Sequence, residues 1–310
     1  MGFNETVLIC DKADPVLGRI LQQNGLRVSY KPEITPEELA AEAPGYSIII
    51  VRSRTTITGE IIRSAKDCKI IARVGVGLDN IDLAAAESAG VRVINAVEGA
   101  TTAVSELVLG MMLCMARQIP RADRGIRGGK WLKGELGGTE LKGKYLGIVG
   151  LGNIGRRLGR LARGMNMNII GHDVVPIDAE FSREVGLMKT DLNTLLGSSD
   201  YVSLHVPLLD STRHMINAEK LALMKPTSRI VNTSRGGIID EDALYEALSG
   251  GRIAGAALDV FESEPATGHR LAELDNVILT PHVGAATAEA QSLAANVIGE
   301  KIIQILRGVI

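Results

Sequence analysis

Residues 145–173 read YLGIVGLGNIGRRLGRLARGMNMNIIGHD, and the fold class can be predicted from this segment. A short apolar run at 146–149 leads directly into the glycine turn GLGNIG at 150–155. Apolar residues then recur at helical spacing up to residue 165, which predicts a helix with one face on a sheet and its arginines in solvent. A second apolar run ends at Asp173. Strand, glycine turn, helix, strand and acid in this order predict part of a doubly wound parallel sheet.

Each glycine of the turn has a physical task. Gly150 permits the tight turn, Gly152 lets backbone N–H groups approach a pyrophosphate, and Gly155 allows close packing of helix on strand. The helix N-terminus adds partial positive charge for the phosphates. Asp173 lies about twenty residues beyond the turn, where a carboxylate accepts hydrogen bonds from ribose hydroxyls and repels a 2′-phosphate. The stretch therefore predicts a dinucleotide site that prefers NAD over NADP.

Length and composition exclude several classes of protein. The chain has 310 residues, enough for two domains, and its 45% apolar and 23% charged content is typical of a soluble globular protein. A formal charge of −2 offers no basic field for nucleic acid or an anionic membrane. No secretion signal or membrane-length apolar run stands out. Three isolated cysteines form neither a disulfide framework nor a metal pattern, which predicts a cytoplasmic protein without a metal.

The remainder of the chain alternates strand-like and helix-like segments, which predicts parallel sheets. The predicted strands are residues 6–10, 26–30, 46–51, 69–74 and 91–94, then 200–205, 229–232, 252–258 and 277–280. The predicted helices of the second half are residues 192–196, 217–223, 241–248 and 287–307, and the last can cross back to the N-terminal domain. We predict two Rossmann-like or flavodoxin-like doubly wound domains, a substrate-binding domain of 1–97 plus 287–310 and an NAD-binding domain of 98–286, with the active site in a cleft between them.

The segment 101–119 is apolar nearly all round, which predicts a buried helix ended by Pro120. Its methionines are more typical of core and subunit contact than of a cofactor site. A glycine-rich arm follows at 128–141 and carries Trp131, the single tryptophan of the chain. This much apolar surface exceeds what one domain should cover, so we expect a homodimer.

Three strand ends after the glycine turn carry groups suited to carbonyl chemistry. Arg235 lies in NTSRGG at 232–237, and its planar fork suits a carboxylate. Glu264 closes the acidic stretch LDVFESEP at 258–265. His282 follows the last strand and is the expected proton donor when a carbonyl is reduced. A buried carboxylate beside the imidazole would hold it in the tautomer that this reaction needs.

Each of these three residues could also have a role that is not catalytic. Arg235 could form a loop salt bridge, Glu264 could be a surface carboxylate, and His282 a satisfied strand-end histidine. His205 also ends a strand of this sheet and is a rival to His282 as proton donor. The other histidines, His172, His214 and His269, are expected at the surface.

Two loops of the N-terminal half could face an anion. Arg52-Ser53-Arg54-Thr55 follows the third predicted strand and GVGLDN at 75–80 follows the fourth. Glycines allow backbone amides to turn toward a negative group. The alternative is that the two arginines are simply exposed to solvent at the end of a strand.

Five motifs taken together resemble the NAD-dependent D-2-hydroxyacid dehydrogenases. They are GLGNIG at 150–155, LHVP at 204–207, NTSRGG at 232–237, LDVF with Glu264-Pro265, and PHVGA at 281–285. The resemblance covers essentially the whole chain in the same order. Within the family, residues 51–53, 73–82, 129–131 and 138–141 point to the branch that oxidises 3-phosphoglycerate.

The resemblance implies a role for each matched position. Arg235 would bind the substrate carboxylate and carbonyl oxygen, and His282 would be the acid/base with Glu264 as its partner. Asp259 would meet the nicotinamide carboxamide. The implied cofactor site comprises Val76, Gly150, Gly152, Asn153, Ile154, Gly155, Asp173, His205, Val206, Pro207, Thr212, Thr233, Ser234, Asp259, Gly284 and Ala285. The implied substrate contacts are Arg52, Ser53, Arg54, Gly75, Val76, Gly77 and Lys133, the last at a position where arginine is common.

The implied reaction is the oxidation of 3-phosphoglycerate to 3-phosphohydroxypyruvate with NAD, the first step of serine biosynthesis. Since the sequence ends at Ile310, serine-binding regulatory domains and their feedback control are expected to be absent. Glyoxylate/hydroxypyruvate reductase and a D-lactate-type enzyme are alternatives within the family. An NAD-sensing corepressor, which would need neither Arg235 nor His282 in working geometry, is an alternative of another class. A methyltransferase would not explain the three strand-end groups.

Overall fold

The computed structural model describes residue 3 and residues 5–310, and it divides the chain into two compact units. One unit comprises the chain up to Thr101 together with Ala285–Ile310, and the other comprises Thr102–Gly284. The predicted boundaries, 97/98 and 286/287, lie within a few residues of these points.

Strands and helices alternate along the whole chain. The strands are β1 Thr6–Ile9, β2 Arg27–Tyr30, β3 Ile48–Val51, β4 Ile70–Arg73, β5 Arg92–Asn95, β6 Tyr145–Val149, β7 Asn168–His172, β8 Met188–Lys189, β9 Tyr201–Leu204, β10 Arg229–Asn232, β11 Gly255–Leu258 and β12 Val277–Leu279. The helices are α1 Pro15–Gln23, α2 Pro36–Glu42, α3 Gly59–Ser64, α4 Leu83–Ser88, α5 Thr101–Arg117, α6 Ile119–Arg127, α7 Asn153–Gly164, α8 Ala179–Val185, α9 Leu192–Ser198, α10 Ala218–Leu223, α11 Glu241–Ser249 and α12 Ala288–Leu306. Short 3₁₀ turns lie at Ala43–Gly45 and Arg270–Glu273.

The first unit is built on a five-stranded parallel sheet in the order β2-β1-β3-β4-β5. Every residue of β3 is buried, as expected for a parallel strand with helices on both faces. The helix α12 lies on one of these faces, where Ala295, Ile298 and Ile302 share a core with Leu17 of α1. The last helix thus belongs to the N-terminal sheet. The strand order reverses between β1 and β3, so the loops after these two strands are the expected ligand position of this unit.

The second unit is built on a seven-stranded parallel sheet in the order β12-β11-β10-β9-β6-β7-β8. Its order reverses between β6 and β9, and the glycine turn follows β6 at this point. Apolar cores cover both faces of the sheet. Two doubly wound parallel sheets confirm the predicted fold class.

The helix predicted at 101–119 is confirmed over Thr101–Arg117, but Pro120 does not end it. α5 ends at Arg117, Gln118 adopts a left-handed conformation with φ of 50°, and α6 begins at Ile119. Pro120 therefore lies in the first turn of a helix, where a missing N–H costs nothing because that group has no intrahelical partner. Among the described residues no single helix is long and apolar enough to cross a membrane, and α5 with α6 reaches that length only as a pair bent by 64°.

Candidate active site

The glycine turn after β6 is packed so closely that two of its positions have no room for a side chain. Gly150 has φ of 92°, and a Cβ there would lie 2.6 Å from the carbonyl oxygen of His205. A Cβ on Gly155 would lie 2.1 Å from the carbonyl oxygen of Gly150. Gly152, in contrast, faces open space, with no atom within 4 Å of an added Cβ. The turn therefore leaves its backbone accessible at the start of α7, where a phosphate is favoured.

Asp173, at the end of β7, is fixed against the glycine turn. Its Oδ2 accepts a hydrogen bond from the Leu151 N–H at 2.6 Å, and its Oδ1 accepts one from the Val175 N–H at 3.0 Å. A carboxylate has about four acceptor sites, so capacity remains for ribose hydroxyls. Thr233 Oγ1 is buried without a hydrogen-bond partner among the described residues, which suits a ligand atom. The residues present therefore fit a dinucleotide.

Three other predicted cofactor positions have local partners. His205 Nε2 lies 2.8 Å from Ser203 Oγ, and burial lowers the pKa of His205 to about 4. Thr212 Oγ1 donates to the Pro207 carbonyl at 2.6 Å and so closes its own loop. Ser234 Oγ donates to Asn232 Oδ1 at 2.8 Å. His205 is therefore neutral near pH 7, which does not suit a proton donor.

His282 and Glu264 form a close pair. His282 Nδ1 lies 2.8 Å from Glu264 Oε2, and Glu264 Oε1 accepts from the Phe261 N–H at 3.1 Å. Because a carboxylate only accepts, Nδ1 carries the proton and Nε2 of the neutral ring is left as a base. The expected carboxylate beside the imidazole is thus present, but it is not buried, since the Glu264 side chain is 37% exposed.

The loop of His282 is held by the buried carboxylate of Asp259. Asp259 is 1% exposed and accepts hydrogen bonds from Thr280 Oγ1 at 2.5 Å, Val283 N–H at 2.9 Å and Gly284 N–H at 2.7 Å. These donors flank His282, whose backbone has φ of 53°. Asp259 therefore fixes a left-handed histidine, a role that differs from the predicted contact with nicotinamide, which stays a prediction.

Arg235 lies on a loop fixed by Asn232, a residue that we did not single out from the sequence. Asn232 is 2% exposed, and its Nδ2 donates to the Arg235 carbonyl at 2.8 Å. The Arg235 Nη1 donates to the Ser234 carbonyl at 2.6 Å. Since β10, β11 and β12 are neighbours in one parallel sheet, the loops of Arg235, Glu264 and His282 leave the same edge.

In the first unit, the buried carboxylate of Asp11 organises the loop after β3. Asp11 is 3% exposed and accepts hydrogen bonds from Thr55 Oγ1 at 2.6 Å and from the Arg52 N–H. Asn80 Nδ2 donates to the carbonyls of Arg52 and Thr55, at 2.8 Å and 2.6 Å. Neither Asp11 nor Asn80 was predicted as a site residue. Asp11 directly follows the first predicted strand, and Asn80 is the last residue of the motif GVGLDN.

The structure gives Arg54 a bracing role, and its predicted phosphate contact stays a prediction. Its Nε pairs with Asp11 Oδ1 at 3.1 Å, and its Nη1 and Nη2 donate to the carbonyls of Ile34 and Cys10 at 3.0 Å and 2.7 Å. With all three nitrogens bonded to protein oxygens, Arg54 holds the loop. Arg52 Nη1 donates to the Lys12 carbonyl at 2.8 Å.

Arg73 is a further candidate that the sequence reasoning missed. It ends β4, and a Cβ on Gly75 would lie 2.2 Å from Arg73 Nη1, so the glycine makes room for this guanidinium. The next residue, Val76, accepts from Asn95 Nδ2 at 2.5 Å through its carbonyl. Ser53 is exposed and Gly77 partly exposed, while Lys133 is exposed on the arm of the second unit.

A parallel sheet with a glycine turn, a carboxylate-paired histidine and an arginine at one edge is typical of nicotinamide-dependent dehydrogenases. The family model for the D-isomer specific 2-hydroxyacid dehydrogenase NAD binding domain matches residues 109–284. D-3-phosphoglycerate dehydrogenase of Methanocaldococcus jannaschii is 44% identical over 303 residues, which is 97% of this chain and 57% of that protein. The chain thus spans just over half the length of this relative.

Solved structures agree over nearly full length. A glyoxylate reductase from Paecilomyes thermophila is 30% identical with a TM-score of 0.88, covering 97% of this chain and 95% of its own. D-mandelate dehydrogenase of Rhodotorula graminis is 30% identical with a TM-score of 0.89, covering 97% and 94%. The chain belongs to the D-isomer specific 2-hydroxyacid dehydrogenase family, and its second unit is the NAD-binding domain of that family.

Proposed function

We propose that the chain catalyses the NAD-dependent oxidation of 3-phosphoglycerate to 3-phosphohydroxypyruvate, the first step of serine biosynthesis. The observation that carries the proposal is the His282–Glu264 pair, 2.8 Å apart, on the loops next to that of Arg235. The 44% identity to a D-3-phosphoglycerate dehydrogenase favours this substrate within the family.

The roles of the residues follow from their chemistry. The Arg235 guanidinium binds the substrate carboxylate, since its planar donors match two carboxylate oxygens. His282 Nε2 accepts the proton of the C2 hydroxyl, and the negative Glu264 stabilises the imidazolium that results. Bound NAD supplies the hydride acceptor. Asp173, Asn153, Ile154 and the turn at 150–155 hold the cofactor.

The preference for a phosphorylated substrate is assigned to the first unit. Arg52 and Arg73 lie at the carboxyl ends of the adjacent strands β3 and β4. The carboxyl edge of an open parallel sheet is where ligands bind, and arginine pairs bidentately with phosphate. We assign the phosphate to these two arginines and leave Arg54 as a brace.

We also propose that the chain acts as a homodimer through α5, α6 and the arm at 128–141. In the single chain, Leu109 and Leu113 of α5 are only partly buried, while Trp131 is 80% and Ile126 57% exposed. An exposed apolar surface of this kind is typical of a subunit interface. Sedimentation at micromolar concentration should give a dimer, and Trp131→Ala should weaken it.

The free cysteines support the expected cytoplasmic location. Cys10 and Cys68 are buried free thiols, and Cys114 is partly buried. Unpaired thiols persist in a reducing compartment.

A substrate panel tests the proposed function. Turnover of 3-phosphoglycerate with NAD should exceed that of D-lactate, D-glycerate and glycolate, measured by NADH absorbance. The runner-up, glyoxylate/hydroxypyruvate reductase, is favoured by the 30% identical glyoxylate reductase structure and predicts faster reduction of the unphosphorylated keto acids. NAD binding without turnover of any member of the panel would instead favour the corepressor-like alternative.

A further inference from the structure

The carboxylate of Glu241 lies in the first turn of α11, outside the residues assigned so far. It is only 14% exposed, and both of its oxygens have partners. Oε1 accepts from the Glu262 N–H at 2.7 Å, and Oε2 lies 2.7 Å from His269 Nε2. Because His269 Nδ1 accepts from the Leu271 N–H at 3.2 Å, the ring carries its proton on Nε2 and donates it to Glu241. His269, expected at the surface, is instead 20% exposed in this pair.

The peptide between Phe261 and Glu262 connects Glu241 to the reacting groups. On one side it lies against the Arg235 loop, since a Cβ on Gly236 would be 1.9 Å from the Phe261 oxygen and 2.6 Å from the Glu262 nitrogen. The preceding peptide, between Val260 and Phe261, carries the N–H that donates to Glu264 Oε1 at 3.1 Å. The Phe261 ring also lies 5.4 Å from the His269 ring, centroid to centroid. Phe261 joins the two peptides, so a displacement of Phe261 would move both the contact with the Arg235 loop and the bond to Glu264.

We propose that Glu241 is a positioning residue of the acid–base site. By holding the 261–262 peptide with one oxygen and His269 with the other, it keeps the Glu264 carboxylate in place beside His282. The inference rests on the proposed function in so far as the His282–Glu264 pair transfers the proton. A misplacement of about 1 Å can lower an enzymatic rate by up to about 10²-fold, so a small rotation of the loop has a measurable effect.

Several charged groups surround Glu241 and His269, and one of them serves as the control for the experiment below. His214 Nε2 lies 3.0 Å from Glu262 Oε1, and the Glu241 N–H donates weakly to the same oxygen at 3.4 Å. Arg270 pairs with Asp242 and Glu246 of α11, each at 3.2 Å.

The test variant is Glu241→Gln. Its amide oxygen keeps the hydrogen bond to the Glu262 N–H, but its NH₂ group meets the Nε2–H of His269, and two donors cannot bond. Glu246→Gln is the matched control, because Glu246 lies on the same helix, its side chain is 72% exposed and its carboxylate pairs with Arg270 at 3.2 Å. Thermal unfolding of both variants checks that they fold.

The primary readout is independent of activity. The chain has five histidines, so ring resonances in ¹⁵N-labelled protein can be followed through a pH titration, and His282→Asn assigns the signal of His282. We expect Glu241→Gln to move the midpoint of that signal toward acid, by less than Glu264→Gln does. In the Glu264→Gln background it should add nothing, since groups that act as one unit are not additive. The turnover number for keto-acid reduction should fall by about 3- to 10-fold, with NADH affinity unchanged.

The inference is overturned if Glu241→Gln leaves the midpoint of the His282 signal unmoved. It is also overturned if Glu241→Gln shifts that midpoint as much in the Glu264→Gln background as in the parent. Should Glu241→Gln fail to fold, His269→Ala takes its place, because it removes one partner of Glu241 and leaves the bond to Glu262. It should shift the midpoint in the same direction. A shifted midpoint in a protein whose parent turns over no keto acid would leave the positioning role standing and refute the proposed function.

Discussion

Replacing His282 by asparagine removes the base that the proposed reaction needs and leaves the NAD-binding turn untouched. General acid/base catalysis contributes about 10²–10⁴-fold, so the chemical step should slow by that factor, equivalent to about 3–5 kcal/mol of barrier. Asparagine accepts the left-handed backbone of this position, where φ is 53°. NADH binding, followed by fluorescence, should be unchanged.

Glu264→Gln removes the negative charge beside His282 but keeps a side chain that can accept the hydrogen bond from Nδ1. At the 2.8 Å that joins Nδ1 to Oε2, the attraction between unit charges is about 1.5 kcal/mol in a water-like medium. The two side chains are 48% and 37% exposed, so solvent screening reduces this attraction further. Loss of the negative partner makes imidazolium give up its proton at lower pH, so the alkaline limb of keto-acid reduction should move toward acid by less than about one pH unit.

His205 is the internal control for this experiment. Burial lowers the pKa of His205 to about 4, so the ring is neutral throughout the neutral range and cannot produce a limb there. The initial rate of keto-acid reduction from pH 5 to 10 should therefore show the same alkaline limb in His205→Asn as in the parent. If His205→Asn moves the limb while Glu264→Gln leaves it in place, the assignment of the acid/base to His282 is wrong.

Three further outcomes are expected. Asp173→Ala should weaken NAD binding and relax discrimination against NADP, because the ribose acceptor and its repulsion of a 2′-phosphate vanish together; unchanged selectivity in steady-state kinetics would refute this role. Arg52→Ala should raise the Michaelis constant for 3-phosphoglycerate about tenfold or more and leave hydroxypyruvate reduction nearly untouched, whereas Arg54→Ala should lower the melting temperature and affect both substrates alike. Burial raises the pKa of Cys10 from 9.0 to about 12, so unfolded chains ionise first and the free energy of unfolding should fall as pH rises above about 9; iodoacetamide at pH 8 should label Cys114 before Cys10.

The sequence predicted the sheets well because buried parallel strands leave a simple pattern. Runs such as Ile48–Val51 are apolar on both faces, and the glycine turn marks its own strand and helix. The two-residue strand at Met188–Lys189 and the helix Ala179–Val185 were missed, since both are short and the strand is exposed. The break at Gln118 was missed because no local signal distinguishes a proline that ends a helix from one that begins the next.

The site was predictable where a motif carries the chemistry and unpredictable where the chemistry depends on packing. Arg235 and His282 stand in glycine-containing strand ends that can be read directly. Asp11, Asp259 and Glu241 form hydrogen bonds to loops distant in sequence, and nothing in their neighbours tells which carboxylate will be enclosed. For Asp259 the resemblance gave a role toward the cofactor, while the structure shows the anchor of the His282 loop.

The left-handed backbone of His282 makes the chain less stable than its scaffold allows. A non-glycine residue in this conformation costs about 1–2 kcal/mol, and asparagine or glycine would relieve part of that cost. We expect the His282→Asn and His282→Gly chains to melt at a higher temperature than the parent. Screening this fold for heat resistance alone would therefore favour the loss of His282, so thermostable variants of the proposed dehydrogenase should be selected under turnover.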